Sequence, residues 1–265
     1  MQLYSIASGS SGNSIFISDN DTSILIDAGI SGKRIENGLE QIGRKASELS
    51  AILVTHEHSD HISGLGVMAR RYNLPIYASA GTIEGIISCR QVGKIRDELF
   101  NEIKPDHYFD LGSLSVMPIR IPHDAAMPVA YRVENGMVKT AVMTDLGFFD
   151  DYIIKNLRDL DAILIEANHD IRMLETGSYS YELKQRILGK LGHLSNENCG
   201  RLLCKILHPG LKNILLGHLS GENNIPVLAY ESVRAEIDMA DIPYNSTELN
   251  IRVAHRDRPS EPVEF

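Results

Sequence analysis

The stretch Ala51-Ile52-Leu53-Val54-Thr55-His56-Glu57-His58-Ser59-Asp60-His61 decides how this sequence is interpreted. Its first half is a short apolar run, typical of a buried β-strand. Its second half brings together His56, His58, Asp60 and His61. Imidazole nitrogens and carboxylate oxygens are good ligands for Zn²⁺ and Mn²⁺. A turn after the strand can aim the first two histidines at one metal and the other pair at a second; the alternative is a solvated histidine-rich turn.

Further polar residues stand at or near the ends of other apolar strands. They are Asp27, His123, Asp145 and His218. Strand ends lie where a sheet opens to a pocket, and functional residues concentrate there. Taken singly, such residues are more typical of turns, helix caps or ordinary histidines. Together with the run at 56–61 they indicate one metal site.

Composition and charge limit the class of protein. The chain has 265 residues, of which 43% are hydrophobic, and a formal net charge of −9. No apolar run approaches the roughly 20 residues of a membrane span, and the first residues lack the basic and apolar regions of a signal peptide. With an odd number of cysteines, this pattern predicts a cytoplasmic protein without membrane association. The negative net charge argues against binding to nucleic acid but does not exclude it, since part of that charge would face the metal cations.

The order of predicted elements is strands, helices, strands, helices, in one domain over residues 1–265. Short turns join the early strands, which favours a pair of sheets between helices over a doubly wound parallel sheet. A helix is expected over residues 31–47. The polar, proline-containing tail from about residue 256 is expected to fray.

The run His56-x-His58-x-Asp60-His61, with the four strand-end residues in their order, resembles the metallo-β-lactamase-fold hydrolases. The resemblance covers most of the chain, from Asp27 to His218. It implies an α/β (α+β) fold, a four-layer αββα sandwich with the site at one edge.

The same resemblance implies two divalent metal ions per chain, Zn or Mn and possibly Fe. The first would be held by His56, His58 and His123. The second would be held by Asp60, His61 and His218, and Asp145 would bridge the two. Asp27 would lie behind the ligands and fix their loop by hydrogen bonds.

Two features narrow the branch of this superfamily. Lactam-cleaving members usually carry Cys where Asp145 stands, and the large nucleases insert a whole domain before the residue matching His218, for which this chain has no room.

Several strings resemble the YycJ (WalJ) group, whose members are described as exonucleases. These strings are Ser8-Gly9-Ser10-Ser11-Gly12-Asn13, Glu166-Ala167-Asn168-His169-Asp170, Gly192-His193-Leu194-Ser195-Asn196 and Gly217-His218-Leu219-Ser220.

These strings also suggest substrate contacts. The loop Ser10, Ser11, Gly12 and Asn13 offers small residues and backbone N–H groups for a phosphate, although a plain hairpin turn explains it equally well. Ser195 opens a helix whose N-terminus could bind an anion, or it simply caps that helix. Glu166 and His169 could orient His193 or a leaving group.

The preferred function is phosphodiester hydrolysis on nucleic acid, as an exonuclease on DNA. The two metals would activate a shared water and neutralise charge on the phosphate. Asp60, besides binding metal, would orient the attacking hydroxide, and His193 would contact the leaving group or phosphate.

The alternative functions are a hydrolase of a small thioester, ester or lactone, and a non-catalytic metal-binding protein. A basic groove would favour the nuclease and a closed apolar pocket a small substrate; the oligomeric state stays open.

Overall fold

The computed structural model describes residues 1–265 and contains two seven-stranded sheets. The strands are β1 (Gln2–Ala7), β2 (Ser14–Ser18), β3 (Ser23–Ile26), β4 (Ala51–Leu53), β5 (Ile76–Ser79), β6 (Phe100–Ile103), β7 (Phe109–Leu111), β8 (Leu114–Arg120), β9 (Val129–Glu134), β10 (Lys139–Met143), β11 (Ala162–Glu166), β12 (Asn213–Gly217), β13 (Asn250–Val253) and β14 (Val263–Glu264). In the first sheet the strand order is β14-β1-β2-β3-β4-β5-β6, and in the second it is β13-β12-β11-β10-β9-β8-β7.

Nine α-helices accompany the sheets. They are α1 (Gly32–Gln41), α2 (Ser59–Ile62), α3 (Leu65–Tyr72), α4 (Ala80–Ser88), α5 (Asp151–Asn156), α6 (Ile171–Thr176), α7 (Tyr181–Leu188), α8 (Asn196–Ile206) and α9 (Pro226–Met239). No helix has both the length and the apolar character needed to cross a bilayer.

Each sheet combines an antiparallel part with a parallel part. Strands joined by short turns, such as β1–β2–β3 and β8–β9–β10, pair antiparallel. Strands separated by helices, such as β3–β4–β5 and β10–β11–β12, pair parallel. This is the geometric consequence of connection length, because a parallel pair needs a long crossover.

Three buried apolar clusters define the layers. Residues of both sheets, including Ile15, Leu53, Val142 and Leu164, form the central cluster. A second cluster joins the first sheet to α1, α3 and α4, and a third joins the second sheet to α5, α8 and α9. These three interfaces separate four layers, so the expected αββα sandwich is confirmed. The single-domain assignment stays a prediction.

The C-terminal tail differs from expectation. Instead of fraying, β14 pairs antiparallel with β1, with Leu3 opposite Val263. The Val263 side chain is buried in the central cluster. An apolar edge strand gains from such a partner, because an open edge exposes unpaired backbone groups. The predicted helix over 31–47 was also too long, since α1 ends at Gln41 and only a short 3₁₀ turn, Ala46–Glu48, follows.

Candidate metal centre

The predicted site residues meet at one edge of the sandwich. Parallel strands present their carboxyl ends on the same side, so the residues following β3, β4, β10 and β12 converge there. Three of them, Asp27, Asp145 and His218, have positive φ angles of 61°, 59° and 54°. Left-handed backbone costs an L-residue roughly 1–2 kcal/mol. Such strain persists where the surroundings hold it and is concentrated at functional sites.

One group of ligand atoms comes from His56, His58 and His123. The His56 Nε2 atom lies 3.0 Å from His58 Nδ1, and His123 Nε2 lies 3.3 Å from the same atom. His56 and His123 are buried, while His58 is half-buried. The three imidazoles predicted to share one ion are therefore gathered around one point.

A second group comes from Asp60, His61 and His218. The Asp60 Oδ2 atom lies 3.4 Å from His61 Nε2 and 3.5 Å from His218 Nε2. Asp145 lies between the two groups, with Oδ2 3.2 Å from His61 Nε2 and Oδ1 3.6 Å from His123 Nε2. This is the place that a bridging carboxylate would take.

Hydrogen bonds behind the histidines fix which ring nitrogen faces the centre. The Nδ1 atoms of His61, His123 and His218 lie 2.7 Å from Asp27 Oδ2, 3.3 Å from the Gly192 carbonyl and 2.8 Å from Glu166 Oε1, respectively. Each partner accepts a hydrogen bond from Nδ1–H, which leaves Nε2 as the nitrogen that a metal would bind. This is the usual support of a metal-bound histidine.

Two buried atoms in the centre, Asp145 Oδ2 and His218 Nε2, make no hydrogen bond of good geometry, and the nearest charged atoms to them are other ligand atoms, His61 Nε2 at 3.2 Å and Asp60 Oδ2 at 3.5 Å. Leaving a buried polar atom unpaired costs about 1–3 kcal/mol. Both are good ligand atoms, and both point among other ligands. The donor set and its unpaired atoms therefore fit divalent metal, and the chain is a metal-binding protein by fold and by ligand clusters.

The charges of the centre are mutually dependent. Burial would raise the pKa of Asp145, but His218 and His61 outweigh burial and hold the pKa well below its usual range. Burial likewise opposes charge on His61, yet Asp27 and Asp145 raise its pKa well above the ordinary value. Asp145 thus stays ionised inside the protein, which favours a bound cation.

Glu166 organises the rear of the centre. Its Oε1 atom lies 2.8 Å from Nδ1 of both His193 and His218, and its Oε2 accepts the Leu146 and Leu194 backbone N–H groups. These partners outweigh complete burial and lower the Glu166 pKa to about 2. Glu166 therefore holds one predicted ligand and one predicted catalytic residue at once.

The opening of the centre is defined by the residues that solvent reaches. The side chains of Asp60 and His193 are 23% and 16% exposed, against 1% for His218. The His193 ring centroid lies 5.2 Å from that of His123 and 5.4 Å from that of His218. His193 therefore stands beside the ligands on the accessible side, where a substrate would arrive.

The loop of residues 10–13, predicted to contact phosphate, has an exposed part and a buried part. Ser10 and Ser11 are exposed, whereas Gly12 and Asn13 are buried. The Asn13 backbone N–H donates to the Asp60 carbonyl at 2.8 Å, and its amide nitrogen lies 3.2 Å from His61 Nε2. Asn13 thus braces the ligand loop. Phosphate contact by this loop stays a prediction, with Ser10 and Ser11 its accessible members.

The remaining candidates take supporting positions. Ser195 is buried and caps α8, with its hydroxyl accepting the Asn198 N–H. His169 is also buried, and its Nδ1 lies 3.3 Å from Asn168 Oδ1. His169 makes no hydrogen bond with Glu166 or His193. Burial lowers the His169 pKa to about 4. A direct role of either residue toward substrate stays a prediction.

Two residues that support the metal centre were not predicted from the sequence. Thr55 donates through its backbone N–H and its hydroxyl to Asp27, and the hydroxyl also lies 3.0 Å from His56 Nδ1. Arg186 pairs with Asp124, which follows a ligand directly. The position of Thr55 next to His56 was a usable signal, but the Arg186 pair joins segments distant in sequence and had none.

We expect Asp27→Asn to weaken metal binding about 10- to 100-fold, the usual effect of losing a group behind a ligand. The neutral amide accepts less strongly from His61 Nδ1 and cannot serve all three donors that now share the carboxylate. Calorimetric titration of metal-free protein with Zn²⁺ measures the change. Asp19→Asn is the matched control, because Asp19 also accepts two backbone N–H groups but lies in a surface turn. Equal affinities in both variants would contradict this role of Asp27.

Comparison with known proteins agrees with this geometry. A family model described as "Beta-lactamase superfamily domain" matches residues 22–210. The chain is 41% identical over 240 residues to "Exodeoxyribonuclease WalJ" of Streptococcus pneumoniae (strain D39), covering 90% of this chain and 89% of that protein. It is 37% identical over 236 residues to "Exodeoxyribonuclease YycJ" of Bacillus anthracis, covering 86% of each.

Solved structures share the fold at low identity. The Zn²⁺-bound PqqB of Methylobacterium extorquens aligns over 100% of both chains with a TM-score of 0.72 and 17% identity. The metallo-β-lactamase-fold protein YhfI of Bacillus subtilis aligns over 98% of this chain and 99% of its own, with a TM-score of 0.68 and 18% identity. The chain therefore belongs to the metallo-β-lactamase superfamily, in its WalJ/YycJ-like group.

Proposed function

We propose that this protein is a dinuclear metal-dependent exonuclease that hydrolyses phosphodiester bonds of DNA. The observation that carries the proposal is the pair of ligand groups with Asp145 between them. Identity of 41% over most of the chain to an exodeoxyribonuclease supports DNA as the substrate. In this proposal His56, His58 and His123 would hold one ion, Asp60, His61 and His218 would hold the other, and Asp145, between the two groups, would serve both.

When bound, two divalent ions such as Zn²⁺ or Mn²⁺ supply water activation and charge stabilisation at phosphorus. The chain's own residues do the rest. Asp60, partly exposed at the opening, orients the attacking water. His193, held through Nδ1 by Glu166, presents its other ring nitrogen to the substrate side and donates a proton to the leaving oxygen. Burial opposes charge on His193, but Glu166 raises its pKa above the ordinary value, which suits a proton donor.

The entrance also suits a charged polymer better than a small apolar molecule. Arg186 pairs with Asp124 beside His123, and Lys190 lies two residues before Gly192, whose carbonyl faces His123. Both basic side chains are exposed. Asp124 neutralises Arg186, whereas Lys190 makes no ion pair, so Lys190 is the basic group left for an incoming phosphate. A cytoplasmic location stays a prediction.

The test is digestion of end-labelled DNA by protein reconstituted with Mn²⁺ or Zn²⁺. We expect stepwise shortening from one end of single- or double-stranded DNA, with an equal amount of RNA and a small glutathione thioester assayed beside it. An Asp60→Ala variant is the control for a contaminating nuclease. Thioester hydrolysis without shortening of DNA would replace this proposal by the small-substrate alternative.

A further inference from the structure

A cleft of about 380 Å³ is lined by residues that lie close in sequence to two predicted ligands. Two segments that carry predicted ligands form part of its wall. Pro122 directly precedes His123, and Phe148 lies three residues after Asp145. The Gly147 N–H donates to the Pro122 carbonyl at 2.9 Å, so the two segments are tied together. The wall of the cleft is therefore built from the same loops that carry His123 and Asp145.

Phe148 is the unusual residue of the wall. The residue is 39% exposed, although phenylalanine is among the residue types most often buried. The Lys190 Nζ atom lies over its ring, 5.9 Å from the centroid, and Lys190 is itself exposed. An exposed aromatic residue next to a lysine is the combination that proteins use for single-stranded nucleic acid, with bases stacked on rings and phosphates near cations.

The other walls favour a base over a phosphate inside the cleft. Ile121, Pro122 and Ile153 supply apolar surface. The charged residues are Arg120, Asp106 and Asp150, and Arg120 is already paired with Asp106 at 3.1 Å. A phosphate would meet an excess of negative charge there. A neutral nucleobase instead brings N–H donors, from which Asp150 can accept a hydrogen bond through Oδ2, since only its Oδ1 accepts the Ile153 N–H.

We propose that Phe148 and Lys190 form a nucleotide subsite of the substrate strand, with a base stacked on Phe148 in the cleft and its phosphate beside Lys190. The inference rests on the proposed function and adds the group that recognises the DNA next to the cleaved bond. A base inserted into the cleft leaves the duplex stack and cannot stay paired with a second strand. The subsite therefore selects a strand that is unpaired at this position.

The test combines variants of Phe148 with abasic substrates. Phe148→Leu keeps apolar bulk but removes the ring, and we expect kcat/KM on a labelled single-stranded oligonucleotide to fall about tenfold or more, mainly through KM, as base–aromatic stacking predicts. Phe148→Tyr keeps the ring and should restore the activity. Phe100→Leu, in a separate cleft, is the matched control.

An abasic nucleotide is then moved through the oligonucleotide one position at a time. At one position near the cleaved end it should lower the activity of the wild-type protein, and there the Phe148→Leu variant should lose nothing further. An equal effect of Phe148→Leu on intact and abasic strands at every position would overturn the subsite. Failure of the wild-type protein to shorten any DNA would instead overturn the proposed function.

Discussion

Asp145→Asn is expected to lower DNA hydrolysis by about 1,000-fold or more, since a metal centre supplies several kcal/mol of transition-state stabilisation and each 1.4 kcal/mol is about tenfold. The Asp145 carboxylate lies close to ligand nitrogens of both groups, through Oδ1 toward His123 and Oδ2 toward His61. The amide keeps the size of the side chain but loses its charge and one ligand oxygen. Metal content and the initial rate of digestion, measured on the same preparation, check the result.

The chain offers a close control for this substitution. Asp159 also has a left-handed backbone, with φ 59°, but its side chain is exposed away from the site. Asparagine tolerates this backbone region better than most residues. Asp159→Asn should therefore keep both metal and activity. If Asp145→Asn retained two metals per chain and full activity, Asp145 would not be the bridge.

Removal of bound metal by a chelator is expected to lower the melting temperature by roughly 5–10 °C, since a ligand at 100 times its Kd contributes about 2.7 kcal/mol and each kcal/mol shifts a chain of this size by about 2–4 °C. The physical reason lies in the unpaired Asp145 Oδ2 and His218 Nε2 atoms, which a metal would satisfy. Differential scanning calorimetry before and after chelation measures the shift.

The identity of the metal that reverses this shift is a further check. Five of the seven predicted ligands are histidines, which suit Zn²⁺ or Mn²⁺ better than Mg²⁺. Zn²⁺ or Mn²⁺ should restore the melting temperature, and Mg²⁺ at the same concentration should not. An unchanged melting temperature after verified metal removal would mean that the ligands are satisfied without metal.

The sequence was enough to predict the metal ligands because they form recognisable local patterns. His56, His58, Asp60 and His61 crowd into one turn, and the others follow apolar strands, so the structure needs only to bring strand ends together. The fold followed from the same order of motifs. Their metal-binding roles stay predictions that the experiments above test.

Other features depended on contacts that a sequence does not display. Whether Asn13 faces substrate or braces the Asp60 loop depends on the distance between two loops. The pairing of Val263 with Leu3 joins the two ends of the chain, and no local pattern predicts it. The exposure of Phe148 likewise depends on what the neighbouring loops leave uncovered.

The most direct measurement returns Mn²⁺ or Zn²⁺ in steps to metal-free protein and follows bound metal per chain together with the initial rate of DNA shortening. We expect the rate to stay low while the first ion binds and to rise as the second ion binds. Full activity with one ion per chain, or two bound ions with no shortening of DNA, would contradict a dinuclear DNA exonuclease.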